Sequence, residues 1–430
     1  MAYTGTVNEH INKVWRKSQG KLVPGFNFAT PEFGWISDFK TLQIDASLRE
    51  MTFPVDLNED RNITMLPESG RMAHPSSVNA VDATVQFTHA NGRFSAGFLA
   101  KWASQADGGA GEIEKQITFQ GRKKVEAMTR VLGDQVYGFS TGVLGVVATY
   151  TAGPPQSVTL KNGYGSTLIP GTLNTQKKYI ANLVKKGDRI AFIRAGALVA
   201  NGIVEISTDP SPTTAGFEFT TTMGAVTPAV NDEIVFANGA NASTIAHTSY
   251  QLHLTGLLEF CTADSVHGIS KTLEPNWDVA LGDTSGSRFN GQRWRQGVDE
   301  IQNFGNADAS PLTLMNQGVY RDVLAQYQAG IRYNDPFDIE IDGEIKGRGK
   351  LFKMTRRVPP GMVFMYDANK GAIKKKTIHD DMEAPGWGDG QPQIDDAFWT
   401  FPIDWAGFLC TTNRKLFAYW TGLQEFPIAA

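Results

Sequence analysis

The chain has 430 residues with 40 basic and 44 acidic side chains and a net charge of -4, which is too long for one compact core and lacks the basic excess of a bulk nucleic-acid binder. Its two cysteines, Cys261 and Cys410, are too few for a disulfide framework and fit a reducing compartment. No run of about eighteen apolar residues occurs and the opening "MAYTGTVNEHINKVWRKSQGKL" has no secretory apolar stretch, which excludes a spanning helix and argues against export.

Residues 1–59 read as an N-terminal arm, with a short amphipathic hint at Ile11, Val14 and Trp15 and isolated aromatics at Phe26, Phe28, Phe33, Trp35 and Phe39. Aromatics scattered through irregular chain need a surface to lie against, either a neighbouring subunit or the chain's own core. Residues 60–97 read as an extended β-hairpin. In "DATVQFTHANGRFSAGF", Val85 and Phe87 alternate, and Asn91-Gly92 is a tight-turn signal.

The clearest helix follows. Ile113, Ile117, Val125, Met128, Leu132 and Val136 recur at helical steps, which predicts a helix over 112–133, roughly 33 Å long at 1.5 Å per residue. Glu112 and Glu114 open it and Lys123, Lys124 and Arg130 come later, as the helix dipole favours. From 150 to 249 the composition turns to Gly, Pro, Ser, Thr and Asn between short strand candidates such as "DRIAFIRAG" and "DEIVFANG". That spacing predicts an inserted small β-barrel or sandwich.

Beyond Tyr250 the patterns mix, so the fold class is α+β. "SPLTLMNQGVYRDVLAQYQAG" gives a strand at Leu312 and Leu314, an N-cap at Asn316 and a helix stopped by Gly330. "PFDIEIDGEI" alternates strictly, "KLFKMTRRV" reads as its neighbour, and Pro359-Pro360-Gly361 fixes a sharp turn before the strand "MVFMYD". The tail "AFWTFPIDWAGFLCTTNRKLFAYWTGLQEFPIAA" is rich in aromatics.

Catalytic patterns fail on context. "GFSTG", Gly138 to Gly142, matches G-x-S-x-G, but a helix precedes Ser140 where a hydrolase needs a strand. "HDDMEAPGWGDG" gathers His379, Asp380, Asp381 and Glu383 without the spacing of a calcium loop, and no histidine pairs with a cysteine at ligand spacing. "GRGKLF" is an incomplete dinucleotide fingerprint and no Walker loop occurs. No enzyme activity, cofactor or metal is expected. "RWRQG" (Arg293 to Gly297) and "KKK" (Lys374 to Lys376) are the basic clusters, meeting solvent, a carboxylate or, nonspecifically, DNA.

The order of arm, two-stranded loop, long helix, "PLTLMNQGVYRDVLAQ" and a charged strand running into "VPPGMVFMYDANKGAI" resembles the major capsid proteins of tailed bacteriophages, the Hong Kong 97-type fold. The resemblance covers most of the chain outside the β insertion. It implies an extended loop over 60–97, a peripheral domain over 98–149 built on the spine helix, an axial domain over 250–373, and strands over 374–430 returning to the peripheral domain. It implies subunit contacts from Trp15, Phe28 and Trp35 in the arm and from Arg71, Asn91, Gly92 and Arg93 in the loop. Pro359, Pro360 and Gly361 form the axial-domain turn in that scheme. The implied partners are the chain itself, in the hexamers and pentamers of an icosahedral shell, a separate scaffolding protein, a portal and a decoration or cement protein. Packaged DNA is met only nonspecifically and no membrane is involved. The implied location is the virion, assembled in the host bacterial cytoplasm. The rival readings are a phage tail or baseplate component and a β-rich adhesion module.

Overall fold

A computed structural model describes residues 35–38, 50–57, 80–97, 110–153, 156–170, 174–207, 216–221, 227–237, 248, 250–305, 307–330, 346–347, 350–368, 371–379, 391–392 and 398–425. In chain order these form β1 (Ser37–Asp38), β2 (Glu50–Asp56), β3 (Ala80–Gln86), β4 (Thr88–Gly97), α1 (Ala110–Gln135), β5 (Gly145–Thr151), β6 (Gln156–Gly163), α2 (Asn174–Leu183) and β7 (Arg189–Arg194). Then come β8 (Ala197–Ser207), β9 (Gly216–Thr221), β10 (Glu233–Phe236), α3 (Leu257–Thr262), β11 (Ser265–Val266), β12 (Ile269–Ser270), β13 (Leu281–Asp283), α4 (Gly291–Phe304), β14 (Leu312–Met315) and α5 (Gln317–Gly330). The chain closes with β15 (Lys346–Gly347), β16 (Lys350–Met354), β17 (Val363–Tyr366), β18 (Lys374–His379), β19 (Gln391–Pro392), β20 (Phe398–Cys410) and β21 (Phe417–Trp420). Two compact units result, one from 1–40, 87–136 and 374–409, the other from 41–86, 137–373 and 410–430.

The first unit is a sheet in the order β1-β18-β20-β19, with β4 also on β20 and α1 packed beside β4. Val125, Thr129, Leu132 and Gln135 are the buried stripe of α1, continued by Val136 just past its end, at the three- and four-residue steps of a one-sided helix. The helix runs from 110 to 135, two residues further at each end than its apolar spacing predicts. The Asn91-Gly92 turn is corrected here. Both residues lie inside β4, with Asn91 opposite Asp404 and Gly92 opposite Ile403, in a ladder unbroken from Thr88 to Gly97. Ten consecutive pairs with a distant strand outweigh a local turn preference. The observed two-stranded pair is instead β2 with β3, from Glu50 opposite Gln86 to Asp56 opposite Ala80, so it begins upstream of the expected loop boundary at residue 60.

The second unit contains that pair, a barrel and a six-stranded sheet. In β2 and β3 alternate residues Met51, Phe53, Val55, Ala83 and Val85 are buried, as expected where one face packs and the other is wet. The barrel closes in the order β10-β5-β6-β9-β8-β7. Val143, Val146, Ala191, Ile193 and Val235 fill part of its core, and the buried Asp232 is held by Arg194 through Nε at 2.7 Å and Nη2 at 2.9 Å. β5 starts at Gly145 and pairs with both β6 and β10, so a boundary at residue 150 cuts a barrel strand.

The sheet runs β13-β21-β17-β14-β16-β15, with β14 parallel to β16 and antiparallel to β17. All residues of β14 and β17 are buried, as in strands covered on both faces, and the one hydroxyl of β14, on Thr313, accepts the Trp294 indole N–H at 3.2 Å. α4 covers it with Trp294, Gly297, Val298 and Ile301. Gly297 has no alternative there, because a Cβ would lie 2.4 Å from the Trp420 ring. The predicted strand "PFDIEIDGEI" lies outside the described residues; β16 is flanked by β14 and β15.

The β2–β3 pair is fastened through a short hairpin. β11 and β12 are joined by His267 and Gly268 at φ 55° and 82°, the two positive values a type I′ turn requires. Asparagine or glycine is usual at the first position, so a histidine there answers to its side chain. The His267 carbonyl accepts the Thr84 N–H at 2.9 Å, and its Nε2 accepts the Thr411 N–H at 3.2 Å. The ring packs edge-on against Phe53 and Phe260. Burial, with the Arg414 charge adding to it, pushes the imidazole down to about 3. Arg414 is fully buried and donates to the Phe260 and Ala263 carbonyls at 2.8 and 2.9 Å, closing the C-terminal end of α3.

Two predictions arise. A fragment from Val143 to Ser249 is expected to unfold cooperatively in urea, whereas one from Tyr150 to Ser249, lacking Gly145–Thr149 of the seven-residue β5, is expected to show no cooperative transition. Because His267 holds its proton less tightly folded than unfolded, its contribution to stability is fully present above pH 6.5. That contribution falls as pH drops toward about 3, at up to about 1.4 kcal/mol per pH unit. His267→Asn, which tolerates the positive φ and does not titrate, is expected to flatten that part of a denaturation-versus-pH curve; an unchanged slope would assign the acid limb to other groups.

Candidate functional site at the Pro359–Gly361 turn

The stretch Val358-Pro359-Pro360-Gly361-Met362 connects β16 to β17, neighbours of β14 on its two sides. Proline at the second position presets φ, and glycine at the third supplies φ 73°. With Met362 N–H donating to the Pro359 carbonyl at 3.2 Å, this is a type II turn. Pro359, Pro360, Gly361 and Met362 are all buried. Surface turns use water for their backbone groups, but a buried one needs protein partners.

Those partners come from three distant parts of the chain. Asn316, between β14 and α5, donates from Nδ2 to the Val358 carbonyl at 2.9 Å. Its Oδ1 accepts the Gly318 N–H at 2.9 Å, the N-cap bond of α5. Tyr179 of α2, the helix packed on barrel strand β6, donates its hydroxyl to the Arg357 carbonyl at 2.7 Å; Tyr164 lies 3.2 Å from that hydroxyl. Leu423 N–H donates to the Gly361 carbonyl at 2.9 Å, and Gly361 N–H donates to Glu425 Oε1, also at 2.9 Å. A Cβ on Gly361 would stand 3.1 Å from the Leu423 carbonyl. The turn is therefore an interior junction that ties barrel helix, α5 and chain end to the centre of the sheet.

Of the sequence-predicted contact residues, Trp15, Phe28 and Arg71 lie outside the described residues, and Trp35 is half-buried beside β1. Asn91, Gly92 and Arg93 lie together on β4, opposite Asp404, Ile403 and Pro402. Tyr179 and Glu425 carry no signal in the sequence, being 178 and 64 residues from the groups they hold. Asn316 is legible as a cap, but its second bond is not.

Ser140 donates its N–H and hydroxyl to the Glu259 carboxylate at 2.5 and 2.9 Å. It follows α1 and precedes β5, the reverse of a hydrolase elbow. Burial raises the Glu259 pKa, and both Ser140 bonds lower it. That pair anchors the chain where α1 ends and the barrel begins. Asp380, Asp381 and Glu383 lie outside the described residues. Among the described residues no helix is long and apolar enough to cross a membrane.

Asn316→Ala removes a cap and strips the Val358 carbonyl of its partner; the expected loss is about 2 kcal/mol or more, read as a lower urea midpoint at unchanged slope. Tyr179→Phe, touching one bond, is expected to lose about 1 kcal/mol.

No family model matches the chain, and no curated protein does. Among solved structures it is similar to a cyanophage A-1(L) capsid asymmetric unit, at 12% identity over 92% of this chain and 93% of that one, with a TM-score of 0.48. A capsid of a native GTA particle matches at 7% identity over 92% and 90%, TM-score 0.41. A satellite phage P4 procapsid including size determination (Sid) protein matches at 8% identity over 94% and 90%, TM-score 0.40.

Proposed function

We propose that this chain is the major capsid protein of a tailed double-stranded DNA phage, self-assembling into the icosahedral shell around the packaged genome. The observation that carries the reading is the return of the chain end. β20 pairs with β4 across ten residues, beside the 26-residue helix α1, while β21 runs into the middle of the separate six-stranded sheet. One C-terminal segment thus supplies a strand to each unit: the return of β20 beside α1 is what the capsid resemblance implies for the C-terminal strands, whereas residues from 410 onward, β21 included, depart from that expectation and join the other unit. The β14-to-α5 unit and the β16-turn-β17 unit lie in the order that resemblance requires.

The mechanism is assembly, with no chemical step. Interfaces of standard size, about 1,600 Å² in total, range widely in affinity, and a closed shell multiplies weak ones. Hexamers and pentamers of this chain form the shell in the virion, with scaffolding, portal and decoration proteins supplied separately and the DNA held without sequence preference. The segment between β2 and β3 and the N-terminal arm reach across neighbours in this reading.

Negative-stain electron microscopy of fast-sedimenting material from cells expressing the chain, alone and with its genomic neighbours, is expected to show closed shells or curved sheets. Straight tubes of tail-like diameter would favour the tail reading, and soluble monomers under both conditions would count against assembly. Replacing residues 59–78 by a short Gly-Ser linker keeps β2 and β3 and is expected to give a folded chain that forms no closed shells. Normal shells from that variant would remove the loop from the mechanism.

A further inference from the structure

The described chain runs five residues past its last strand. Thr421 N–H still bonds the Asp283 carbonyl at 2.9 Å, and Gly422 reverses the chain at φ 69° against Gly286. Leu423, 1% exposed, is then the one apolar anchor of this segment among the described residues. Its N–H and the Glu425 carboxylate take the carbonyl and the N–H of Gly361, each at 2.9 Å. Both backbone groups of the turn's central glycine are thus held by one short segment near the chain end. Glu425 does more than accept that bond. Its carboxylate stands over the first turn of α5, where a Cβ on Gly318 would come within 2.6 Å of Cδ and 2.9 Å of both oxygens. The positive end of the helix favours a negative group there. Its other oxygen, Oε2, is buried and has no hydrogen-bond partner among the described residues. The carboxylate is therefore incompletely satisfied where it sits, which leaves the contact open to release.

We propose that Leu423–Glu425 is a C-terminal latch that closes over the Pro359–Met362 turn, and that its closing fixes the turn in the geometry assembly needs. The other braces, from Asn316 and Tyr179, belong to elements built into the sheet and the barrel. Among the described residues the latch holds the turn by one buried apolar side chain and two hydrogen bonds, the kind of small unit that opens without global unfolding. When it opens, Gly361 loses both partners in a water-poor place, so the turn relaxes. The link to assembly rests on the capsid reading, but the latch itself does not.

The experiment is amide hydrogen exchange on the full chain, read at Gly361 and Leu423 against Leu312–Met315 and Val363–Tyr366, with shell yield measured in parallel. Wild type is expected to exchange at the first two amides at least about tenfold faster than in the two strands, as a local opening requires. Glu425→Ala is expected to speed Gly361 by a further tenfold or so with the strands unchanged, while Glu425→Gln, which keeps an acceptor, stays within about threefold. Glu425→Asp, one methylene shorter, serves if the alanine variant fails to fold, and is expected to behave like it. Unchanged exchange at Gly361 in Glu425→Ala or Glu425→Asp, or loss of protection across both strands together, would overturn the latch. If wild type forms shells and Glu425→Ala forms them in equal yield, the assembly role fails though the latch stands. If wild type forms none, the capsid reading fails, and the exchange result is still decisive for the latch.

Discussion

A backbone turn shut away from water has to find every hydrogen-bond partner inside the protein, and the second unit is arranged around one such turn. Val358, Gly361 and Arg357 offer carbonyls and Gly361 an N–H, met by Asn316, Leu423, Tyr179 and Glu425. Each buried polar group left alone would cost about 1–3 kcal/mol. The positions of α5, α2 and the chain end are therefore set by the needs of a few backbone atoms. Proline and glycine hold those atoms still enough for distant segments to aim at them.

The same logic governs the barrel. A closed barrel has no strand edge to offer and fastens to its host by other means. Here the fastening is α2, whose Ile180 packs within 3.2 Å of where a Gly163 Cβ would be and whose Tyr179 reaches the turn. At the other end Ser140 and Glu259 pin the entry into β5. The barrel is thus tied to the turn at the sheet's centre by a side chain of α2 rather than by strand pairing.

Much of this was legible in the sequence wherever the governing forces are local. The helical spacing from Val125 to Val136, the cap at Asn316 and the Pro-Pro-Gly turn each depend on residues within a few positions of one another, and each stands where the pattern puts it. Asn91-Gly92 misled because a turn preference is weak beside a ten-pair ladder with a strand some 300 residues away, and no local pattern announces that strand. The barrel's start was misplaced because the composition changes only after the apolar first residues of β5, and its partners β6 and β10 lie further along the chain. Tyr179 and Glu425 were invisible for a related reason: a side chain that satisfies a remote carbonyl or N–H looks like any surface tyrosine or glutamate.

The pairing of β2 with β3 carries one more consequence. Thr84 turns its N–H away from β2, toward His267, so its partner Thr52 also turns its backbone groups outward. Pro54 is two residues on and in step with Thr52, so the donor it lacks is missing from the outer edge of β2 and costs the ladder nothing. That edge has no strand beside it among the described residues. A strand edge left without a neighbour is a template for misassociation. A single imino acid interrupts the row of donors such stacking would use, while every bond that holds the pair together is kept.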